Sequence, residues 1–146
     1  MEVKSKIRTL DEVPLMIDRD CRRAGVSPAS PFFESLLSVI LASPTISLYG
    51  FYCHAGNSYA STSLPQASSI LSAEVEVVNT AAGLALAMLS SSPSYGARDQ
   101  PFVLAVGSTP TAHAASAETK AQLALLLNGT LELHAGMKIS STCIVG

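Results

Sequence analysis

The feature that most constrains the fold of this chain is an alternation of short apolar runs with longer segments of helical periodicity. Four runs are predicted as strands, at residues 13–17, 46–53, 102–106 and 130–134. Three segments are predicted as helices, at residues 32–42, 64–89 and 114–127. The strand runs are almost continuously apolar, which is typical of strands buried on both faces of a parallel sheet. The sequence therefore predicts an α/β protein whose parallel strands are joined by helical crossovers.

Two architectures fit this order, an open doubly wound sheet or half of a (β/α)8 barrel. A complete barrel takes about 250 residues, whereas this chain has 146. Apolar residues make up 48% of it and charged residues 14%, which is enough for a core and excludes a disordered chain. The choice between the two architectures depends on the motifs.

Charge and composition exclude several classes of partner. The net charge is −2, and the close basic group Arg19, Arg22 and Arg23 is interleaved with Asp18 and Asp20. Nucleic-acid binders concentrate Lys and Arg, so no nucleic-acid partner is expected. The first 14 residues are charged and lack the apolar core of a secretory signal. Residues 80–89 are the longest apolar-rich stretch, about half of the ~20 that a membrane span needs, so no membrane partner and a cytoplasmic location are expected.

The cysteines and histidines form no metal-binding pattern. Cys21, Cys53 and Cys143 are far apart, and an odd, unpatterned count indicates reduced thiols. No zinc-ligand spacing joins them to the three histidines His54, His113 and His134. The sequence therefore predicts no metal ligands.

Polar or glycine-containing groups follow all four predicted strands, at residues 17–26, 50–60, 106–112 and 134–136. In parallel α/β folds, ligands bind at the carboxyl ends of the strands. In the group Gly-Ser-Thr-Pro-Thr, Gly107 permits close approach of a ligand, while hydroxyls and free amides at the helix start attract phosphate. The alternative is an ordinary helix N-cap, which needs only one hydroxyl.

Two further groups offer contacts to a ring or an anion. Tyr52 and Tyr59 lie seven residues apart and flank a histidine and a glycine. They can pack on a ring or bind a phosphate, or they can be a core tyrosine and a loop tyrosine with no shared role. An arginine near the end of the first strand can bind an anion bidentately, or it can pair with Asp18 or Asp20 at the surface.

Together these groups resemble one family, the fold-type III pyridoxal phosphate (PLP) enzymes of the D-serine dehydratase and D-threonine aldolase group, which have an alanine racemase-type barrel. The resemblance covers residues 13–136 and rests on Ile-Asp-Arg-Asp-Cys-Arg-Arg-Ala-Gly-Val, Gly-Phe-Tyr-Cys-His-Ala-Gly-Asn-Ser-Tyr, Val-Gly-Ser-Thr-Pro-Thr and Glu-Leu-His-Ala-Gly, in that order. It implies the C-terminal half, about four βα units, of a (β/α)8 PLP barrel. Residues 1–136 are then a partial barrel and residues 137–146 a divergent tail.

The resemblance also implies the site residues and the ligands. Tyr52 and Tyr59 would lie at the cofactor, Thr109 and the amide of Gly136 would contact its phosphate, and Arg23 would lie near the pyridine ring. The substrate would be a small D-amino acid, and the family's full-length members would form homodimers. The motifs depart from the family pattern at several positions, namely Met16, Asp20, Asn57 and Met137.

The resemblance places two functional groups outside the matched segment. The family's cofactor-bearing lysine lies on the first barrel strand, and its zinc ligands lie in a C-terminal β-domain. The chain is therefore expected to be truncated, unable to complete the chemistry alone, and prone to aggregate or dimerise through open sheet edges. Three functions stay open: part of a lyase that converts D-serine to pyruvate and ammonia, part of a D-threonine aldolase-type enzyme, or a non-catalytic PLP- or phosphate-binding module.

Overall fold

A computed structural model describes residues 11–17, 25–95, 98–107, 111 and 127–134, and shows a parallel sheet that carries two helices. The strands are β1 (Asp11–Ile17), β2 (Ile46–Cys53), β3 (Phe102–Val106) and β4 (Gly129–Leu133). The helices are α1 (Pro31–Leu41) and α2 (Leu64–Ser91), with short 3-10 turns at Gly56–Ala60 and Pro93–Tyr95. The predicted α/β class is confirmed. The predicted helix at 114–127 lies outside the described residues.

The strand order identifies the architecture. The order is β1-β2-β3-β4, and each neighbouring pair is parallel. A doubly wound sheet reverses its strand order at a switch point and carries helices on both faces, whereas a barrel adds strands in chain order. Helices α1 and α2 contact each other and both contact β2, so they cover one face of this sheet. The described strands therefore have the barrel arrangement that the motifs predict, with β1 and β4 at the two edges.

The core lies between the sheet and the two helices. One row of side chains, in register across all four strands, faces the helices: Leu15, Phe51, Leu104 and Leu131. Phe51, at the centre of this row, is fully buried. The centre of its ring lies 6.3 Å from that of Phe33 and 5.3 Å from that of Phe102. Interdigitated rings of this kind bury large apolar areas, so this row fixes the helices on the sheet.

Proline and serine set the beginnings of both helices. Ser30 caps α1 by accepting a hydrogen bond from the Phe32 amide at 3.1 Å, and α1 ends before Pro44. Ser63 caps α2 by accepting a bond from the Gln66 amide, with Pro65 in the first turn as predicted. Both caps satisfy amides that an isolated helix leaves unpaired.

Helix α2 extends two residues beyond the predicted range 64–89. By length and composition alone its 28 residues are sufficient to cross a membrane, which is weak evidence because core helices pass the same test. One of its faces is buried against the sheet, at Ala67, Leu71, Glu74, Val75, Val78, Ala81, Ala82 and Ala85. This packing is that of a core helix.

A β-bulge in β2 adjusts which side chains face the helices. Val13 pairs with Leu48 and Pro14 pairs with Gly50, so Tyr49 is an extra residue without a partner in β1. Without the bulge, strict alternation would place Leu48 on the face opposite Phe51. The bulge turns the Leu48 side chain into the core and leaves that of Tyr49 on the face without helices.

Arg98 binds the backbone at this bulge. Its guanidinium donates hydrogen bonds to the carbonyl of Leu48, to that of Tyr49 at 3.1 Å and to that of Pro101 at 3.3 Å. The same group lies 4.1 Å from the centre of the Phe102 ring, a cation–π contact. Burial lowers the pKa of Arg98, but the side chain stays protonated at any physiological pH. The planar fork of an arginine is therefore used to satisfy carbonyls at the bulge.

We expect Arg98→Lys to destabilise the chain, because a lysine ammonium cannot reproduce the fork and leaves partly buried carbonyls unpaired. The expected loss is about 1–3 kcal/mol in the free energy of unfolding, measured by urea denaturation. Glu76→Gln, an exposed change on α2, is the control and leaves the stability unchanged. Equal stability of the Arg98→Lys and control variants would contradict this role for Arg98.

Candidate functional site

The carboxyl ends of β2, β3 and β4 bring the motif residues together. Strand β2 ends at Cys53 and continues into His54 and the 3-10 turn that carries Tyr59. Strand β3 ends at Val106 and is followed by Gly107, and His134 follows β4. Because parallel strands end on the same edge of the sheet, these groups converge without any long-range loop.

The sheet face without helices carries the side chains that a ligand can reach. Met16, Tyr52, Ala105 and Glu132 form one row across the four strands, one residue before the strands end. Tyr52 is half-buried within this row. A groove of about 330 Å³ runs along this face and is lined by Pro14, Tyr49, Phe51, Tyr52, Val103, Ala105, Glu132 and His134. In a barrel this face is the interior.

Four aromatic and imidazole rings form a continuous cluster at the strand ends. The Tyr52 ring lies 5.7 Å from the His134 ring in an edge-to-face arrangement and 6.4 Å from the His54 ring. The His54 ring lies 6.1 Å from the Tyr59 ring. The two predicted site residues Tyr52 and Tyr59 are thus linked through His54, although Tyr59 is 58% exposed at the rim.

Hydrogen bonds orient His54 in this cluster. Its Nδ1 lies 3.2 Å from the carbonyl oxygen of Gly107 and 3.4 Å from the hydroxyl of Tyr52. Because a carbonyl only accepts, Nδ1 carries the hydrogen in the bond to Gly107, and a neutral ring then presents Nε2 as an acceptor. His54 therefore joins the end of β2 to the loop that begins at Gly107.

His134 and Glu132 form a polar contact beside Tyr52. Nε2 of His134 lies 3.2 Å from Oε1 of Glu132, with the two side chains 48% and 32% exposed. Polar contacts of this exposure contribute little to stability. Their position at the groove makes the pair a polar group available to a bound molecule.

Gly107 has a backbone conformation that other residues rarely adopt. Its φ is +118°, and a side-chain carbon at this position would approach the carbonyl oxygen of His134 to 2.7 Å. The His134 amide in turn donates to the carbonyl of Val106 at 2.8 Å. The ends of β3 and β4 are therefore in close backbone contact at the point where the predicted phosphate loop begins.

Glu74, on the buried face of α2, is the functional candidate that sequence reasoning missed. Its Oε1 accepts a hydrogen bond from the Ala55 amide at 2.6 Å, and the side chain is 1% exposed. Burial raises the pKa of Glu74, and interactions with the Ala55 amide, the Thr111 hydroxyl, His54 and the Gly107 amide oppose that rise. The signal in the sequence was an acidic residue at a core position of an apolar helix pattern.

Other predicted site residues fall outside the described residues, namely Thr109, Gly136 and Arg23. Of the predicted phosphate group, the structure describes Gly107 and the buried Thr111. In the described ranges, no three His, Cys, Asp or Glu side chains are grouped to bind a metal ion. The described cysteine, Cys53, is buried.

Comparisons with known proteins agree with this arrangement. The chain is similar to a solved alanine racemase-like protein from Idiomarina loihiensis, with 24% identity, a TM-score of 0.51, and 74% of this chain and 26% of that one covered. It is also similar to the D-threo-3-hydroxyaspartate dehydratase from Delftia sp. HT23, with 31% identity, a TM-score of 0.59, and 85% and 28% covered. The fold is therefore that of an alanine racemase-like barrel.

Two curated relatives narrow this class. The D-serine dehydratase of Schizosaccharomyces pombe is 46% identical over 121 residues, which are 82% of this chain and 27% of the relative. The D-serine dehydratase of Saccharomyces cerevisiae is 36% identical over 129 residues, 84% of this chain and 29% of the relative. No family model matches. The chain belongs to the D-serine dehydratase family, as its motifs indicated, and it spans little more than a quarter of the length of these relatives.

We expect Gly107→Ala to destabilise the ends of β3 and β4. A positive φ costs a residue with a side chain about 1–2 kcal/mol, and the contact with the His134 carbonyl adds to that loss. Urea denaturation measures the change in the free energy of unfolding. A variant as stable as the unmodified chain would show that the backbone here does not need glycine.

We expect Glu74 to make the chain less stable as pH rises. Its pKa in the folded chain is raised above 4.5, so the folded state holds the proton more tightly than the unfolded state. The stabilisation is complete below that value and is lost as pH rises through the raised pKa. Urea denaturation across this range measures the slope.

The matching variant is Glu74→Gln, which does not titrate at this position. The difference in unfolding free energy between the two chains is therefore expected to change with pH in the direction given above. A difference that stays constant with pH would contradict the raised pKa.

Proposed function

We propose that this chain supplies the cofactor-binding strand ends of a PLP-dependent D-amino-acid dehydratase whose substrate is D-serine. The net reaction releases ammonia and leaves pyruvate, with no net gain or loss of water. The observation that carries the proposal is the position of Tyr52. It lies in the groove on the barrel-interior face, in contact distance of two imidazole rings, one residue before the strand ends.

The described residues fit the shape of PLP, which joins a flat aromatic ring to a phosphate. A flat ring requires an aromatic surface, and Tyr52 with His54 and His134 supplies one on the open face. A phosphate requires amide and hydroxyl donors, and the close approach of the backbone at Gly107 begins a loop rich in both. Because Nδ1 of His54 lies 3.2 Å from the Gly107 carbonyl oxygen, the ring surface and this loop are close enough for one ligand to contact both.

In this proposal each residue of the chain has a binding or orienting role. Tyr52 packs against the cofactor ring, and His54, which donates from Nδ1 to the Gly107 carbonyl, lies beside the Tyr52 hydroxyl. Tyr59 covers the cofactor from the rim. The family resemblance assigns the phosphate to Thr109 and the Gly136 amide, and places Arg23 near the pyridine ring. When bound, PLP supplies an electron-withdrawing ring that takes up the charge released when the substrate loses its α-proton.

Dehydration is favoured over retro-aldol cleavage by the names of the relatives. Both curated relatives are D-serine dehydratases, and the 31% identical solved structure is a D-threo-3-hydroxyaspartate dehydratase. All three names denote removal of a β-hydroxyl from a D-amino acid. The zinc that the resemblance implies would assist departure of that hydroxyl, and we place its ligands outside the matched segment at residues 13–136.

The first test is a PLP titration of the purified chain followed by absorbance. We expect binding to the unmodified chain and a loss of about fivefold or more in affinity for Tyr52→Ala, because a ring-stacking surface contributes about 1 kcal/mol or more. Tyr95→Ala, in the 3-10 turn at the opposite ends of the strands, is the control and binds PLP normally. An equal loss for both variants, or no binding to the unmodified chain, would refute the proposed site.

Borohydride treatment and a pyruvate assay then separate cofactor binding from catalysis. We expect PLP to dialyse away after borohydride and D-serine to yield no pyruvate, because the family's lysine lies outside the matched segment. The four lysines of this sequence, Lys4, Lys6, Lys120 and Lys138, match no family position. PLP fixed to one of them, together with pyruvate from D-serine, would show that this chain is catalytic by itself.

A further inference from the structure

A carboxyl group is buried on the helix that covers the sheet, among side chains that are otherwise apolar. Glu74 is 1% exposed, and its neighbours on the same face of α2 are Leu71, Val75 and Val78. A buried carboxyl is unfavourable unless hydrogen bonds compensate for the lost water. An apolar residue would fill this position at lower free energy if packing were its function. The acid must therefore act through its oxygen atoms.

The carboxyl of Glu74 is hydrogen-bonded to the loop after β2 and lies close to the segment after β3. Oε1 accepts the Ala55 amide at 2.6 Å, whereas Oε2 is buried with no hydrogen-bond partner among the described residues. The Thr111 hydroxyl and the Gly107 amide, in the described part of the segment after β3, are near enough to lower the pKa of the carboxyl. The two segments are joined directly by His54, whose Nδ1 donates to the Gly107 carbonyl at 3.2 Å. One side chain thus reaches both segments that carry the predicted cofactor contacts.

The loop after β2 is braced around the residue that Glu74 contacts. The Ala55 carbonyl accepts the Ser58 hydroxyl at 2.7 Å and the Ser58 amide at 3.1 Å. The backbone of Ala55 is therefore held at both of its polar groups, since Glu74 binds its amide and Ser58 binds its carbonyl. This bracing sets the directions of His54, which precedes it, and of Tyr59, which follows Ser58.

We propose that Glu74 is a positioning residue, which holds the loop after β2 and the loop after β3 in one arrangement so that both contact a single bound PLP. The proposal rests on the cofactor binding proposed above. The fixed arrangement removes the entropy loss that two independent loops would suffer on binding one ligand. Glu74 lies on the helix face of the sheet and contacts the cofactor only through these loops.

Amide hydrogen exchange, followed by NMR without any ligand, tests the coupling of the two loops. In Glu74→Ala, we expect the Ala55 amide to exchange at least about tenfold faster, the factor that loss of one hydrogen bond to a carboxylate produces. We expect the Gly107 amide to exchange faster as well, because the segment after β3 loses the carboxyl beside it. Amides within β3, such as that of Leu104, keep their protection. Glu74→Gln retains an acceptor and restores the slow exchange of Ala55.

Two controls on α2 separate positioning from general destabilisation. Val78→Ala removes buried apolar volume one turn further along α2, and Glu76→Gln changes an exposed acid on the same helix. The proposal is wrong if Val78→Ala and Glu74→Ala reduce stability equally and also speed amide exchange at Ala55 and Gly107 equally. If Glu74→Ala accelerates only Ala55, Glu74 does not couple the loops, and the proposal is wrong as well.

Ligand affinities extend the test to PLP, pyridoxal and inorganic phosphate. We expect Glu74→Ala to weaken PLP about tenfold or more while each smaller ligand, which contacts one loop, weakens by about threefold or less. Val78→Ala binds PLP like the unmodified chain. Equal weakening of PLP and of both smaller ligands would contradict the coupling.

The exchange result keeps this inference separate from the proposed function. If neither the unmodified chain nor any variant binds PLP, the cofactor proposal fails. If Glu74→Ala nevertheless speeds amide exchange in both loops, Glu74 couples the loops, but the proposed reason for that coupling, the binding of PLP, is wrong. If PLP binds the unmodified chain and Glu74→Ala equally, the cofactor proposal stands and the positioning role is refuted.

Discussion

The register of β2 between β1 and β3 is the constraint on which the rest of the described structure depends. A single extra residue, Tyr49, lets Leu48 and Phe51 both enter the core although they are three positions apart. It also keeps Tyr52 in the groove on the opposite face. Since a shift by one residue exchanges the two faces of a strand, the core and the candidate site would be lost together without the bulge. Arg98, on the bulge carbonyls, is therefore important to both, although it lies far from the strand ends.

The two ends of the sheet have different physical characters. At the amino ends, the guanidinium of Arg98 donates hydrogen bonds to backbone carbonyls and packs over an aromatic ring, and both contacts stabilise the fold. At the carboxyl ends, polar groups contact loops: His54 bonds to the Gly107 carbonyl and Glu74 to the Ala55 amide. This division is the one expected of (β/α)8 barrels, in which function lies at the carboxyl ends and stability at the amino ends.

Much of the fold could be predicted from the sequence because its strands are short apolar runs separated by strong breakers. The predicted bounds of β2 and β3 agree with the structure, and β1, β4, α1 and α2 differ by one or two residues. The motifs also placed Tyr52 and Tyr59 at one site. The bulge at Tyr49 was not predictable, because strict alternation along β2 suggests the wrong partners for Leu48. Glu74 was missed because its significance depends on Ala55, which is 19 positions away in the chain.

The row that contains Tyr52 has a small residue at its centre. Ala105 stands between Tyr52 and Glu132 on the interior face, while its neighbours Leu104 and Val106 point into the core. A change at position 105 therefore alters the width of the groove without disturbing the packing of either helix. Substitution of this one residue during evolution could therefore change the size of the molecule accepted beside Tyr52 while the scaffold stays the same.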